Sequence, residues 1–162
     1  MTHATTPPRS AEEQAKLERA LTEVFERLIT FNGVIGMQVE SLKGSDVRMG
    51  FDMKPDLVGH FAFGRLHGGV TASALDAVCG LAVMVGMAEA HPGDPAMQVL
   101  QRFSRIGTID LRVDYLRQGI GKRFTASAEL TRLGGRVASA QGRLINEEGT
   151  LVATASAAYI VS

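Results

Sequence analysis

The chain has 162 residues, 17 basic and 17 acidic side chains, and a single cysteine, Cys79. That length suits one domain able to bury its own core. The balanced charge excludes a chain-wide electrostatic footprint for duplex nucleic acid or an anionic membrane, and the lone cysteine excludes an internal disulfide or a cysteine-based zinc cluster.

Residues 1–10, with Thr5, Thr6, Pro7, Pro8 and Ser10, read as a disordered lead-in to a single domain over 11–162. No basic stretch followed by an apolar one marks a secretory signal, and together with the unpaired cysteine this predicts a cytoplasmic protein. From Ala11 to Ile29 apolar residues recur at Leu17, Ala20, Leu21, Val24, Phe25 and Leu28, one stripe of an amphipathic helix. Ser10 with Glu13 supplies a capping box at its start. Phe31, Asn32 and Gly33 end it, and Val34 to Leu42 and Asp46 to Met53 follow as strands around the turn Lys43-Gly44-Ser45. Lys54 to Arg65 reads as loop.

Val70 to Ala88 is apolar except for Asp76, and its 19 residues approach the length of a membrane span. Its Ala, Gly, Ser and Val content argues against a span, as does the roughly 2.5–3.5 kcal/mol cost of an aspartate at the bilayer centre. A helix without a polar face is equally expected where a sheet encloses it. The loop His91 to Pro95 stops that helix, and strands over 108–116, 123–133, 136–146 and 151–161 follow in meander order. The whole is an α+β domain, an antiparallel sheet wrapped around a long central helix with an extra helix over 11–29.

Polar residues cluster at that central helix. Backbone amides at a helix start are unpaired donors at the positive end of the dipole, and Gly68-Gly69 lets a substrate approach them. Asp76, two turns in, lies among apolar neighbours, a setting suited to a general base or nucleophile. The structural readings are a simple turn for the glycines, an ion pair or backbone bond for Asp76, and a cap for His67. Cys79 reads as a small packed hydrophobe, and no metal site is expected.

Leu66-His67-Gly68-Gly69, six residues and then Asp76 resemble the signature of the hot-dog acyl-CoA thioesterases of the phenylacetyl-CoA (PaaI-like) type. The segment Gly107 to Arg117 resembles that family's strand after the helix, and the likeness extends over residues 30–161. It implies hydrolysis of acyl-CoA to free acid and CoA, with CoA as part of the substrate and no cofactor. It also implies Asp76 as the carboxylate that activates water or attacks the thioester carbon, and the Gly68 amide as the donor to the carbonyl. Gly69 would allow close approach, His67 would line the site and Thr108 would help hold the water. Many relatives carry Asn or Gln where Phe61 stands, beside His60, so these two residues are expected at the substrate without that amide. The departure keeps one alternative open, a hot-dog protein that binds acyl-CoA or an acyl carrier without turnover.

Coenzyme A carries phosphates, and Arg117, Arg132 and Arg136 flank turns, with Gly134-Gly135 offering backbone amides; these five are the expected anion contacts. Met49, Phe51, Phe61, Phe63, Val78 and Leu81 are the expected acyl chamber. Eight residues of helix rise about 12 Å, too far for Gly68 and Asp76 to serve one carbonyl. Gly68 of one subunit is therefore expected to face Asp76 of another in a homodimer, alone or paired into a tetramer.

Overall fold

The computed structural model describes residues 7–162. Of the expected lead-in, residues 1–6 lie outside the described residues. Arg9, also within that expected lead-in, is held in place: its guanidinium donates to the carbonyls of Ala88, His91 and Asp94 and to the Gln14 side chain.

Helix α1 (Ala11–Glu23) buries Leu17 and Leu21. It continues through a π-helical turn, Val24–Leu28, that buries Phe25. The wider turn breaks the 3.6-residue stripe, so Leu28, expected to be buried, is 65% exposed. Ser10 caps α1 by accepting from the Glu13 amide, but the expected reciprocal half of the capping box is missing. The Glu13 carboxylate instead accepts from the Ala96 amide, 83 residues away. The chain then remains helical where a break and a strand were expected. Helix α2 (Thr30–Ile35) ends at Gly36, whose φ of 86° is the left-handed conformation that favours glycine at a helix end.

Strands β1 (Gln38–Lys43) and β2 (Asp46–Asp52) pair as a hairpin. The expected loop contains a short 3₁₀ turn and a small hairpin, β3 (Val58–His60) with β4 (Arg65–Leu66). Helix α3 spans Gly68–Ala90 and buries residues on nearly every side. It is long and apolar enough to cross a membrane, yet 72% of its apolar window is buried inside the protein. Helix α4 (Ala96–Phe103) has no counterpart among the expected elements; it buries Ala96, Val99 and Phe103. Strands β5 (Gly107–Tyr115), β6 (Arg123–Leu133), β7 (Val137–Asn146) and β8 (Leu151–Ile160) complete the chain.

All the pairings are antiparallel, in the order β1-β2-β6-β7-β8-β5. The simple four-strand meander is thus corrected: β5 crosses to the far edge and pairs with β8, while β6 joins β2. Inward positions on β6, β7 and β8 are small, among them Ala126, Ala128, Ala138, Ala140, Ala153, Ala155 and Ala157, all buried. Small residues let the sheet curl closely onto α3. At Gly142 a Cβ would lie 2.9 Å from the Cys79 sulfur, so glycine suits this close approach of strand β7 to helix α3.

Candidate active site

The edge position of β5 matters because it leaves one face of α3 only partly covered. Ala72, Ser73, Asp76 and Ala77 are half-buried, whereas Ala74, Leu75, Val78 and Cys79 are buried. Asp76 faces the start of β5 and the end of β8. Its Oδ1 accepts from the Thr108 hydroxyl at 2.9 Å and lies 2.9 Å from the Tyr159 hydroxyl, which is also 2.8 Å from the Asp76 carbonyl oxygen. Oδ2 has no protein partner among the described residues and is not one of the buried unpartnered atoms. One oxygen is therefore anchored and the other is open to solvent, the arrangement a base needs to take a proton from water.

Tyr159, absent from the expected site, is 2% exposed. Burial and the neighbouring Asp76 charge push its phenol well above the ordinary tyrosine range, so it remains protonated and able to donate. No local pattern in the Ala-rich last strand marks this ring for Asp76; the only signal is a phenol among small buried residues.

Cys79 lies one turn beyond Asp76, and burial, with the Asp76 charge adding to it, pushes its thiol up to about 12. The thiol is therefore neutral through the physiological range. Because the native state holds this proton more tightly than an ordinary thiol with its value of 9.0, the resulting stability is full below pH 9 and is lost as pH rises toward 12. Two results are expected: a melting temperature that declines across this alkaline window, less steeply in Cys79→Ala, and negligible alkylation of native protein at pH 7.5, with full labelling after denaturation.

At the start of α3, His67 is the N-cap, and its Nδ1 accepts from the Gly69 amide at 2.8 Å. The Val70 and Thr71 amides reach the His67 carbonyl. Among the described residues the Gly68 amide has no such partner and remains an available donor, while the Gly68 carbonyl accepts from Tyr115. Of the two glycine amides, His67 thus occupies the second and leaves the first free. The β3–β4 hairpin packs here, since a Cβ on Gly59 would lie 2.6 Å from the His67 Cα. It carries His60, stacked on Phe61 and tilted against Phe63, and Phe61 is 94% exposed. Arg117 lines a cleft of about 380 Å³ that also includes Arg65, Gly68 and Tyr115.

Three expectations need correction. The five anion contacts do not form one group: Arg117 lies beside Gly68, whereas Arg132, Gly134, Gly135 and Arg136 surround the β6–β7 turn, past which α3 runs out at its C-terminal end. The Gly134 amide is already committed to the Val137 carbonyl, closing the turn and leaving nothing to offer an anion. The acyl chamber is also misplaced, since Met49, Phe51, Val78 and Leu81 are 0% exposed core residues; of the six, only Phe61 and Phe63 reach the surface. A roomier cleft of about 700 Å³ runs between α1 and β1, but it lies at the opposite sheet edge from β5 and takes no part in this constellation. Among the described residues no three His, Cys, Asp or Glu side chains are grouped to hold a metal.

Comparison with known proteins bears on this arrangement. Residues 63–153 match the family model described as thioesterase superfamily. The chain is 43% identical to the medium/long-chain acyl-CoA thioesterase YigI of Escherichia coli K12, over 94% of this chain and 96% of that one. It is 41% identical, with the same coverage, to the protein of that name in Salmonella typhimurium LT2. A crystal structure of a Shewanella oneidensis protein related to the thioesterase superfamily superposes with a TM-score of 0.87 at 35% identity, covering 95% of this chain and all of that one.

Proposed function

The chain belongs to the thioesterase superfamily, and from its likeness to the medium/long-chain acyl-CoA thioesterase YigI we propose that it hydrolyses medium- and long-chain acyl-CoA thioesters to free acid and CoA. The observation that carries the reading is the half-anchored Asp76, whose Oδ1 is held by Thr108 and Tyr159 while Oδ2 faces outward. In the general-base route Oδ2 takes a proton from water as the water oxygen bonds to the thioester carbon. Collapse of the tetrahedral intermediate breaks the C–S bond, and the departing sulfur takes up a proton. In the nucleophilic route Oδ2 bonds to that carbon directly, the C–S bond breaks, and water then cleaves the anhydride. Either route places negative charge on the carbonyl oxygen, which the Gly68 amide at the positive end of α3 would stabilise.

A homodimer is part of the proposal. The outer side of β5 is a free sheet edge, with Ile109 57% and Tyr115 56% exposed, and it adjoins the partly covered face of α3. Joining two copies along it would bring the Gly68 amide of one toward the Asp76 of the other. His67, Gly69 and Phe61 would then border the reacting group, with His60 behind Phe61.

The reading is tested by thiol release from a series of acyl-CoA esters of increasing chain length. The expected result is a kcat/KM that rises from short to medium and long chains, because each buried methylene adds about 0.8 kcal/mol of transfer energy. Acyl-CoA binding with no thiol released would mean that the protein is a binder and not a hydrolase.

A further inference from the structure

We infer that Asp110 and Arg112 on β5 set the register in which two copies of this chain join, Asp110 of each pairing with Arg112 of the other. The inference rests on the proposed homodimer and adds the residues that align it.

β5 is an edge strand, paired with β8 on one side and open on the other from Gly107 to Tyr115. Past a bulge between Thr108 and Asp110 its faces alternate regularly. Leu111 and Val113 pack against the core, while Asp110, Arg112 and Asp114 share the opposite face. Arg112 donates to Asp114 at 2.9 Å, with 74% of its side chain still exposed. Asp110 is exposed and forms no ion pair among the described residues. The outward face of this edge therefore reads acid, base, acid, and the first acid is unpaired.

In an antiparallel pair directly opposite residues share a face, so a two-fold axis between two β5 strands must pass at a residue and its own copy. An axis between residues would turn the core-facing side of one copy outward. With the axis at Leu111, the whole of Gly107–Tyr115 overlaps and each Asp110 stands opposite the partner's Arg112. With the axis at Arg112, the two guanidiniums meet and each Asp110 faces the partner's Asp114. With the axis at Asp110, the two unpaired carboxylates meet. An axis at Val113 would match Arg112 with Asp114, but it shortens the overlap to Leu111–Tyr115 and leaves Asp110 outside it. Charge and length of pairing thus select Leu111.

That register also joins the right ends. The Tyr115 hydroxyl holds the Gly68 carbonyl, and the Thr108 hydroxyl holds Asp76. The two halves of the proposed site are therefore tied to opposite ends of one strand. Antiparallel overlap carries the Tyr115 end of one copy to the Thr108 end of the other, and with it Gly68 toward the partner's Asp76.

Cysteine pairs read the register directly. A disulfide spans Cα atoms about 4.4–6.8 Å apart, the spacing of directly opposite residues, whereas diagonal neighbours lie about 7–8 Å apart. Cys79 is buried with a neutral thiol and adds no background. Chains carrying Asp110→Cys and Arg112→Cys, co-expressed with different tags and mildly oxidised, are expected to give a disulfide-linked dimer on a non-reducing gel. The second Asp110–Arg112 pair stays intact in that dimer. Neither variant alone, nor the wild type, should cross-link. Cross-linking of Arg112→Cys alone or of Asp110→Cys alone would overturn the assignment by placing the axis at that residue. So would a dimer by light scattering in which no combination cross-links.

The role of charge has its own readout. Asp110→Arg sets arginine against arginine at both crossings, and its dimer Kd by analytical ultracentrifugation should rise about tenfold. Arg112→Glu should do the same, and an equimolar mixture of the two should recover wild-type affinity as heterodimers, because acid again faces base. An unchanged Kd in Asp110→Arg would overturn the assignment. A monomeric wild type would remove the homodimer along with it, whereas a cross-linked dimer that releases no thiol from any acyl-CoA would leave the register standing and remove the hydrolase.

Discussion

Asp76→Asn should lower thioester hydrolysis by about 10²–10⁴-fold, the range general base catalysis commonly contributes, with a melting temperature close to that of the wild type. The substitution is nearly isosteric, and Oδ1 of an asparagine still accepts from Thr108 and Tyr159, so the anchoring survives. What changes is the outward-facing atom: an amide nitrogen in place of Oδ2 can neither take a proton from water nor attack a carbon. The effect should fall on kcat, with acyl-CoA affinity largely retained, because the groups assigned to binding lie elsewhere. Thiol release under saturating substrate, read beside the melting curve, checks this. Activity within a few-fold of wild type would remove Asp76 from the chemistry under either the base or the nucleophile route.

The second large effect is expected at Gly68, where a backbone donor can be deleted with little harm to the helix. Gly68 is the first residue of α3, a position where proline is well tolerated because the lost N–H has no intrahelical partner. The preceding residue, His67, already has φ −66° and ψ 135°, the extended conformation required before proline. Gly68→Pro should therefore fold and lose about 10²–10³-fold in kcat, the usual result of removing one oxyanion donor. Gly68→Ala is the control: it keeps the N–H, and its Cβ would meet the Tyr115 ring at 3.4 Å, a contact that asks for only a small shift. Equal losses in the two variants would point to crowding and not to the amide.

The two substitutions together test the shared site. Co-expressing Asp76→Asn with Gly68→Pro gives mixed dimers in which one site carries both defects and the other carries neither, provided that each site draws its carboxylate and its amide from different copies. With random pairing, about a quarter of wild-type activity should return. If both groups act within one chain, every site stays defective and mixing restores nothing.

Much of this protein could be read from local pattern. The apolar run without a polar face required an enclosing sheet, and α3 is buried inside one. Alternation and turn residues located β6 to within its observed ends and β7 and β8 to within a residue. The spacing from His67 through Gly68-Gly69 to Asp76 marked a helix start and a carboxylate two turns in, since both are properties of a few consecutive residues. α2 and α4 escaped because each is short, and a stripe of two or three apolar residues does not distinguish helix from strand.

Other features depended on residues far apart in the chain. Tyr159 meets Asp76 across 83 positions, and Glu13 caps α4 across the same interval. Neither contact leaves a trace in the neighbouring sequence, because hydrogen-bond geometry is set by the packing of whole elements. The crossover of β5 to the outer edge likewise follows from how the sheet closes on α3, and it decides which helix face stays open. The arginines, alike in their turn settings, separate to the two ends of α3 for the same reason. Periodicity and turn chemistry determined what each segment becomes and which residues are chemically unusual. Only the closing of the sheet around the helix decided which of those residues stand within a hydrogen bond of one another.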